Sequence, residues 1–144
     1  MVTRQFSILL LVLFVTTAVL IAVVCFFAGP EGASMKSILF PESVLLVTYA
    51  LFYQLKISVD DQRLSIEFGI GIIRRTFSLK RIASVDKVVN SRWYGYGIRY
   101  LPGITLYNVD GTAAIELCFK DTGRRVRIGT TNPDQLTAFI RTKI

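Results

Sequence analysis

The sequence from Phe6 to Ala28, FSILLLVLFVTTAVLIAVVCFFA, is an uncharged stretch of 23 residues that decides the architecture. At about 1.5 Å per residue, a helix of this length extends roughly 34 Å, which matches a bilayer hydrocarbon core of about 30 Å with some tilt. A cleaved signal peptide is the alternative, but its apolar region is only about 7–15 residues long. We therefore expect residues 1–28 to hold the N-terminus and a first transmembrane helix.

A second apolar stretch, residues 38–55, follows a short segment rich in helix breakers. Pro41 and Glu42 are expected in its first turn, where proline needs no N–H partner and a carboxylate favours the positive end of the helix dipole. Residues 29–37 are expected to form a tight extracytoplasmic turn, so that the two helices make a transmembrane hairpin. A buried or interfacial helix remains the alternative for residues 38–55.

Lysine and arginine residues set the expected orientation of the hairpin. The turn holds only Lys36, whereas Arg4 precedes the first helix and residues 56–144 contain fifteen Lys or Arg against eight Asp or Glu. Cytoplasmic segments of membrane proteins carry an excess of such basic residues. We expect a protein integral to the cytoplasmic membrane, with both termini and the domain of residues 56–144 in the cytoplasm.

Residues 56–144 alternate apolar and polar side chains, which is typical of half-buried strands. A polar turn at residues 60–62 is expected to join two strands in a hairpin, with one apolar face made by Ile57, Val59, Leu64, Ile66 and Phe68. Further strands are expected over residues 72–79, 80–89, 104–109, 113–119 and 124–129, and an Asp-Gly pair at residues 110–111 predicts a hairpin.

The last segment of the chain has a helical pattern. Pro133 follows a capping residue, and Leu136, Phe139 and Ile140 recur at three- and four-residue spacing. This pattern predicts a C-terminal helix that packs over one opening of the sheet. The fold class is therefore a two-helix transmembrane hairpin followed by an all-β domain that is α+β at its end, with six or seven antiparallel strands closed by the helix.

This order of elements is that of pleckstrin-homology-like (PH-like) barrels, and the chain resembles small bacterial membrane proteins with two N-terminal helices and a bacterial PH-like domain. The resemblance rests on the hairpin and on four segments: RRTFSLKRIASV at residues 74–85, WYGYGIRY at 93–100, LYNVDG at 106–111 and RRVRIGTTNPDQL at 124–136. It implies a barrel fold and a membrane location, but it implies no activity.

The residue inventory argues against an enzyme. The chain has no histidine, the usual acid or base at neutral pH, and its two cysteines, Cys25 and Cys118, are too isolated to make a zinc site. The aspartates fall at expected turns or strand ends, where they cap the backbone. We expect no catalytic residues, no metal and no cofactor.

Residues 92–100, RWYGYGIRY, contain the only tryptophan and three of the six tyrosines. Tryptophan and tyrosine partition to the headgroup region of a bilayer, and neighbouring arginines attract anionic lipid. The candidate surface contacts in this aromatic segment are Arg92, Trp93, Tyr94, Tyr96, Arg99 and Tyr100. Two interpretations stay open: a loop that binds a membrane or ligand, or an aromatic cap that plugs the barrel or docks it on the hairpin.

Four further residues are candidate basic contacts: Arg74, Arg75, Lys80 and Arg81. Adjacent residues of a strand point to opposite faces, so these pairs are not expected to form one phosphate site. Asp60 and Asp61 in the first hairpin turn would repel a phosphate, so phosphoinositide binding is not expected from the fold.

Two functions remain. The first is a non-enzymatic, membrane-anchored interaction module whose domain contacts lipid headgroups or a membrane-protein partner. The second is an accessory or regulatory subunit of a membrane complex, in which the domain has a structural role. Nucleic acid is not an expected partner, because the sequence holds no recognition motif for it and a membrane tether restricts access.

Overall fold

A computed structural model describes residues 1–28 and 35–144 of the chain. Within these residues it contains three α-helices: α1 (Ile8–Ala28), α2 (Met35–Phe52) and α3 (Pro133–Arg141). It also contains nine strands: β1 (Val2–Phe6), β2 (Gln54–Val59), β3 (Arg63–Phe68), β4 (Ile73–Ser78), β5 (Ile82–Val89), β6 (Gly97–Leu101), β7 (Ile104–Asn108), β8 (Ala113–Phe119) and β9 (Arg125–Gly129).

The first sheet has the order β1-β2-β3-β4, with all neighbours antiparallel. The predicted hairpin of β2 and β3 is confirmed, because its five predicted apolar residues are all buried. Alternation places these side chains on one face, and that face forms one side of the hydrophobic core. The sheet therefore follows the sequence pattern closely from Gln54 to Ser78.

The second sheet has the order β5-β8-β9-β7-β6, with β7 and β9 parallel and all other neighbours antiparallel. The prediction of an all-antiparallel sheet was therefore wrong. The Asp-Gly hairpin was also wrong: β9 lies between β7 and β8. Gly111 still turns the chain, with φ +64°, and Asn108 donates to its carbonyl at 2.9 Å, but the connection crosses the end of β9.

The two sheets pack face to face and do not form a closed barrel within the part of the chain that the structure describes. Rings from both sheets meet in the core, with centroid distances of 6.1 Å for Phe68 and Tyr107 and 5.7 Å for Phe77 and Phe119. The expected count of six or seven strands was too low, because β1 precedes the first helix and β6 lies inside the aromatic segment. The architecture is α+β with two sheets.

The predicted C-terminal helix is confirmed as α3, which contacts β5 and β8. Leu136 and Ile140 are fully buried, and Phe139 packs partly against the core. Pro133 begins the helix, where its fixed φ and missing N–H cost little. Arg141 near the end of α3 donates to the carbonyl of Val85 at 3.0 Å and so fixes the helix to β5.

The second helix differs from its prediction. It runs from Met35 to Phe52 rather than over residues 38–55, so Pro41 lies inside the helix and not in its first turn. Proline there removes one backbone hydrogen bond. The helix ends early because Gln54 and Leu55 pair with β1 and β3. The predicted turn at 29–37 falls mostly on residues 29–34, which lie outside the described residues.

Helix α1 contains a stretch, Ile8–Phe27, that is long and apolar enough to cross a membrane, and none of it is buried. The apolar part of α2, Phe40–Phe52, is shorter. The two helices are in contact, with the rings of Phe14 and Tyr49 stacked at 5.5 Å.

Strand β1 was not predicted, and it joins the helices to the domain. It pairs antiparallel with β2, from Val2 opposite Ser58 to Phe6 opposite Gln54. The backbone N–H of Ser7 donates to the carbonyl of Tyr53 at 2.8 Å, just where α1 begins and α2 has ended. Both helices therefore emerge from the same end of the first sheet.

Candidate functional site

One end of the domain lies against the helices, and we call it the helix-proximal end. It comprises the turn at residues 69–72, residues 90–97 with the first part of the aromatic segment, and the turn at residues 109–112. Three hydrogen bonds hold these segments together. The N–H of Gly69 donates to the carbonyl of Gln54 at 2.8 Å, and the N–H of Asn90 donates to the carbonyl of Thr112 at 2.7 Å. The side-chain Nε2 of Gln5 donates to the carbonyl of Asp110 at 2.5 Å.

The aromatic segment presents Trp93 to the surface. Arg92–Tyr94 form a single turn of 3₁₀-helix, with the N–H of Tyr94 donating to the carbonyl of Ser91 at 3.1 Å. Gly95, with φ +67°, then redirects the chain into β6. The Trp93 side chain is 95% exposed, so it does not plug the core. An exposed tryptophan at a fixed turn is typical of a contact surface.

The other candidate residues of the segment have different surroundings. Tyr96 is partly exposed and lines a cleft against the helices, whereas Tyr94 is half-buried. Arg92 and Arg99 are both exposed, and the Arg99 guanidinium lies close over Gly95. Tyr100 is also exposed, but β6 carries it away from the helices toward the turn at residues 101–104. The structure therefore brings together the residues from Arg92 to Arg99, without Tyr100.

The cleft separates β6 from the base of the two helices. Its volume is about 330 Å³. Leu9 and Leu10 from the start of α1 and Phe52 from the end of α2 form one wall, and Ile98 and Val109 form the other. Part of the aromatic segment is therefore docked beside the helices, while its tip at Trp93 remains free.

A second apolar surface lies on the turn between β3 and β4. Ile70 and Ile72 are 63% and 72% exposed. The turn is held against α2, because Ile70 donates its N–H to the carbonyl of Ala50 at 3.1 Å and Gly69 packs on the backbone of Ala50 and Leu51. Sequence reasoning missed these isoleucines; the available signal was that each follows a glycine, Gly69 or Gly71, in a turn.

Arg74 and Arg75 point to opposite faces of β4, as expected for adjacent strand residues. Arg74 lies opposite Glu67 and pairs with it at 2.9 Å. Arg75 lies opposite the buried Ile66, so its side chain is on the face of β4 that carries the core residues. Burial raises the pKa of Tyr107, and the positive charge of Arg75 acts in the opposite direction.

Lys80 and Arg81 lie at the other end of the domain, which we call the distal end. Their 3₁₀ turn is tied to the first hairpin turn, with Leu79 N–H donating to Gln62 at 2.9 Å. Strand β4 separates this turn from the helix-proximal end by six residues, or roughly 20 Å. The four candidate basic residues therefore do not form one patch.

A different basic row crosses the outer face of the first sheet. Register places Arg4, Lys56, Glu67 and Arg74 side by side on successive strands. Residues paired across strands point to the same face, so three positive side chains share one carboxylate. Lys56 and Arg74 pair with Glu67 at 3.4 and 2.9 Å, which leaves a net charge of +2 along the row.

Comparisons with known proteins do not identify a family for this chain. The sequence matches no protein-family model and no curated protein.

Proposed function

We propose that this chain is a non-enzymatic interaction module anchored in the cytoplasmic membrane, whose PH-like domain contacts lipid headgroups through its helix-proximal end. One observation carries the proposal: Trp93, in the segment that also lines the cleft beside the helices, and Ile70 and Ile72, in the turn hydrogen-bonded to Ala50 of α2, all expose apolar side chains. Large apolar side chains exposed together mark an interaction surface. Both segments that carry them border the base of the helices, where the apolar helix α1 leaves the domain.

The structural role of β1 supports a retained anchor over a cleaved signal peptide. Cleavage after α1 would remove β1, and β2 would lose its hydrogen-bonded neighbour. It would also remove Gln5, which is buried and hydrogen-bonded to Asp110. Helix α1 is therefore connected on both sides to parts of one folded domain, as expected for a permanent anchor.

Polar groups within the helices support a lipid environment. The hydroxyls of Thr16, Thr17, Ser43 and Thr48 each donate to a carbonyl of their own helix, at 2.6–2.8 Å. Because these donors are already satisfied, they do not require a neighbouring helix. Arg4 and Lys56 in the basic row lie a few residues below the helices. An anionic surface attracts such basic residues over a Debye length of about 8–10 Å.

A second candidate function is an accessory or regulatory subunit of a membrane complex. Glu42 favours it, because this carboxylate sits within α2 and one of its oxygens is enclosed without a hydrogen-bond partner among the described residues. Ionisable groups at membrane depth commonly mark functional contacts. A protein that co-purifies stoichiometrically from native membranes, and is lost in Glu42→Gln, would support this second function.

Trp93 is the only tryptophan, so its fluorescence tests the first proposal directly. The full chain is reconstituted into phosphatidylcholine vesicles that carry bromine atoms near the top of the acyl chains. We expect strong quenching of Trp93 by the brominated lipid and weak quenching by aqueous iodide.

The matched control is the double variant Trp93→Phe, Tyr100→Trp, which moves the indole to an exposed site toward the distal end. Its fluorescence should be quenched by iodide and not by brominated lipid. Equal quenching in the two proteins, or quenching of Trp93 by iodide but not by brominated lipid, would rule out contact between the aromatic segment and the bilayer.

A further inference from the structure

We propose that the cleft between β6 and the helix base holds one anionic phospholipid, with its phosphate at Arg99 and one acyl chain against Leu9 and Leu10. The inference rests on the proposed function, since it requires α1 to be in a bilayer. It goes further in naming a discrete site and a lipid class, where the proposed function requires only contact with a membrane surface.

The walls of the cleft suit an acyl chain. Its volume of about 330 Å³ falls at the lower end of the range for small-molecule sites, which is about 300–1,000 Å³. Leu9, Phe52, Ile98 and Val109 give it apolar walls. Burying an acyl chain there would remove apolar surface of both the lipid and the protein from water.

The cleft is continuous with the outer surface of α1. Leu9 lines the cleft and is 43% exposed, and Leu13, one turn further along the helix, is 45% exposed. Residues four apart share a helix face, so the two leucines extend one apolar track from the cleft along α1. A lipid whose chain follows this track would have its headgroup at the level of the cleft.

The charges at this level select an anionic headgroup. Arg99 lines the cleft, and Arg92 lies in the adjoining recess with Gly95 and Tyr96. Within the described part of the chain, no carboxylate lies within 4 Å of either guanidinium. A guanidinium matches a phosphate through paired N–H donors. The choline ammonium of phosphatidylcholine would be repelled by the second arginine, whereas phosphatidylglycerol carries no positive charge.

The test counts lipids bound to the detergent-solubilised full chain by native mass spectrometry, with dioleoyl phosphatidylglycerol or dioleoyl phosphatidylcholine as the added probe. We expect one tightly held phosphatidylglycerol per chain and weaker binding of phosphatidylcholine. Arg99→Gln should reduce the affinity for phosphatidylglycerol about five-fold, the effect of one basic residue at an anionic headgroup. The control is Arg63→Gln, an exposed arginine at the distal end, which should leave binding unchanged.

Thr48→Phe tests the apolar part of the site, because Thr48 lines the cleft and a phenyl ring there would fill it. We expect this variant to lose the bound lipid while its circular dichroism stays that of the parent. If this variant fails to fold, Arg99→Gln still tests the lipid site, since Arg99 is exposed and its replacement does not disturb the core.

The outcomes separate this inference from the proposed function. Equal binding of the two lipids, or no effect of Arg99→Gln and Thr48→Phe, would overturn the lipid site even if Trp93 is quenched by brominated lipid. Loss of lipid in Thr48→Phe without an effect of Arg99→Gln would overturn the assignment of the phosphate. Absence of Trp93 quenching with retained binding of one phosphatidylglycerol would overturn the proposed surface contact and leave the site standing.

Discussion

The two ends of the domain differ in what they expose. The helix-proximal end presents Ile70, Ile72 and Trp93. The turns of the distal end are instead tied by charged pairs: Arg81 Nε donates to Asp121 at 2.8 Å, and Lys143 Nζ donates to Asp61 at 2.6 Å. Exposed ion pairs contribute little to stability, but they are compatible with water, whereas clustered apolar side chains are not. The contrast shows that the two ends of one small domain are suited to different surroundings.

The largest expected effect comes from the contact between the helix-proximal turn and α2. Gly69 has φ +50°, and a Cβ there would overlap the backbone of Ala50 and Leu51. Since backbone cannot move as a side chain can, Gly69→Ala should lower the free energy of unfolding by about 3 kcal/mol. The measurement is urea unfolding in detergent, followed by circular dichroism.

Gly71→Ala is the matched control two residues away. Its φ is +89°, but no atom of the described residues lies within 4 Å of the added Cβ, so only backbone strain of about 1 kcal/mol is expected. Equal losses of unfolding free energy in the two variants would show that the turn is not packed on α2. The turn would then not belong to the helix-proximal end.

A smaller effect is expected where the connection from β7 to β8 crosses the end of β9. A Cβ at Gly129 would overlap the side chain of Asn108, whose amide holds the carbonyl of Gly111. Gly129→Ala should therefore cost about 2 kcal/mol, from the lost hydrogen bond and local repacking. The same unfolding experiment measures it.

A double-mutant cycle isolates the cause. If the overlap with Asn108 dominates, Asn108→Ala should relieve it, and the double variant should be more stable than the sum of the two single changes predicts. If the two losses of stability are strictly additive, Gly129 and Asn108 are not in contact, which would contradict the placement of the β7–β8 connection over the end of β9.

The smallest expected effect is at the distal end and depends on pH. The side-chain hydrogen bond from Arg81 holds the pKa of Asp121 below its usual value of 3.8. A carboxyl whose pKa is lower in the folded state stabilises that state above pH 3.8, and the contribution disappears as the pH falls through the lowered value. Arg81→Gln should melt slightly below the parent at pH 6 and converge with it below about pH 3.8.

Thermal melts from pH 6 to pH 2 provide this comparison, with Arg63→Gln as the control without a charged partner among the described residues. A difference that grows as the pH falls would have the wrong sign for this ion pair. It would also remove the basis for contrasting the distal end with the helix-proximal end.

Sequence patterns predicted the elements whose formation depends on residues close together in the chain. The alternation from Ile57 to Phe68 predicted the first hairpin, and the spacing of Leu136 and Ile140 predicted α3, because each buries one face of one element. Pairing between distant segments was not predictable in this way. The five residues of β1 are too few for a pattern, and the Asp-Gly pair at residues 110–111 specifies a turn without specifying which strand lies beside β7.

The candidate site shows the same division. The composition of residues 92–100 drew attention to the aromatic segment, and the structure places Trp93 on the surface. Ile70 and Ile72 were missed because their role depends on Gly69 packing against α2, a contact between residues about twenty positions apart. Lys80 and Arg81 were grouped with Arg74 and Arg75 in sequence, but β4 separates the two pairs in space.

The pairing of β1 with β2 also has a consequence for how the chain is made. Val2–Phe6 is synthesised before its partner strand β2, which follows about 50 residues later, after both helices. At 5–20 residues per second, β1 waits roughly 3–10 s without a hydrogen-bonded neighbour. Under the proposed membrane anchoring, β1 can pair with β2 only if α1 and α2 bring the chain back to the same side of the bilayer. Under that proposal, completion of the first sheet would require correct insertion of both helices, before the second sheet is synthesised.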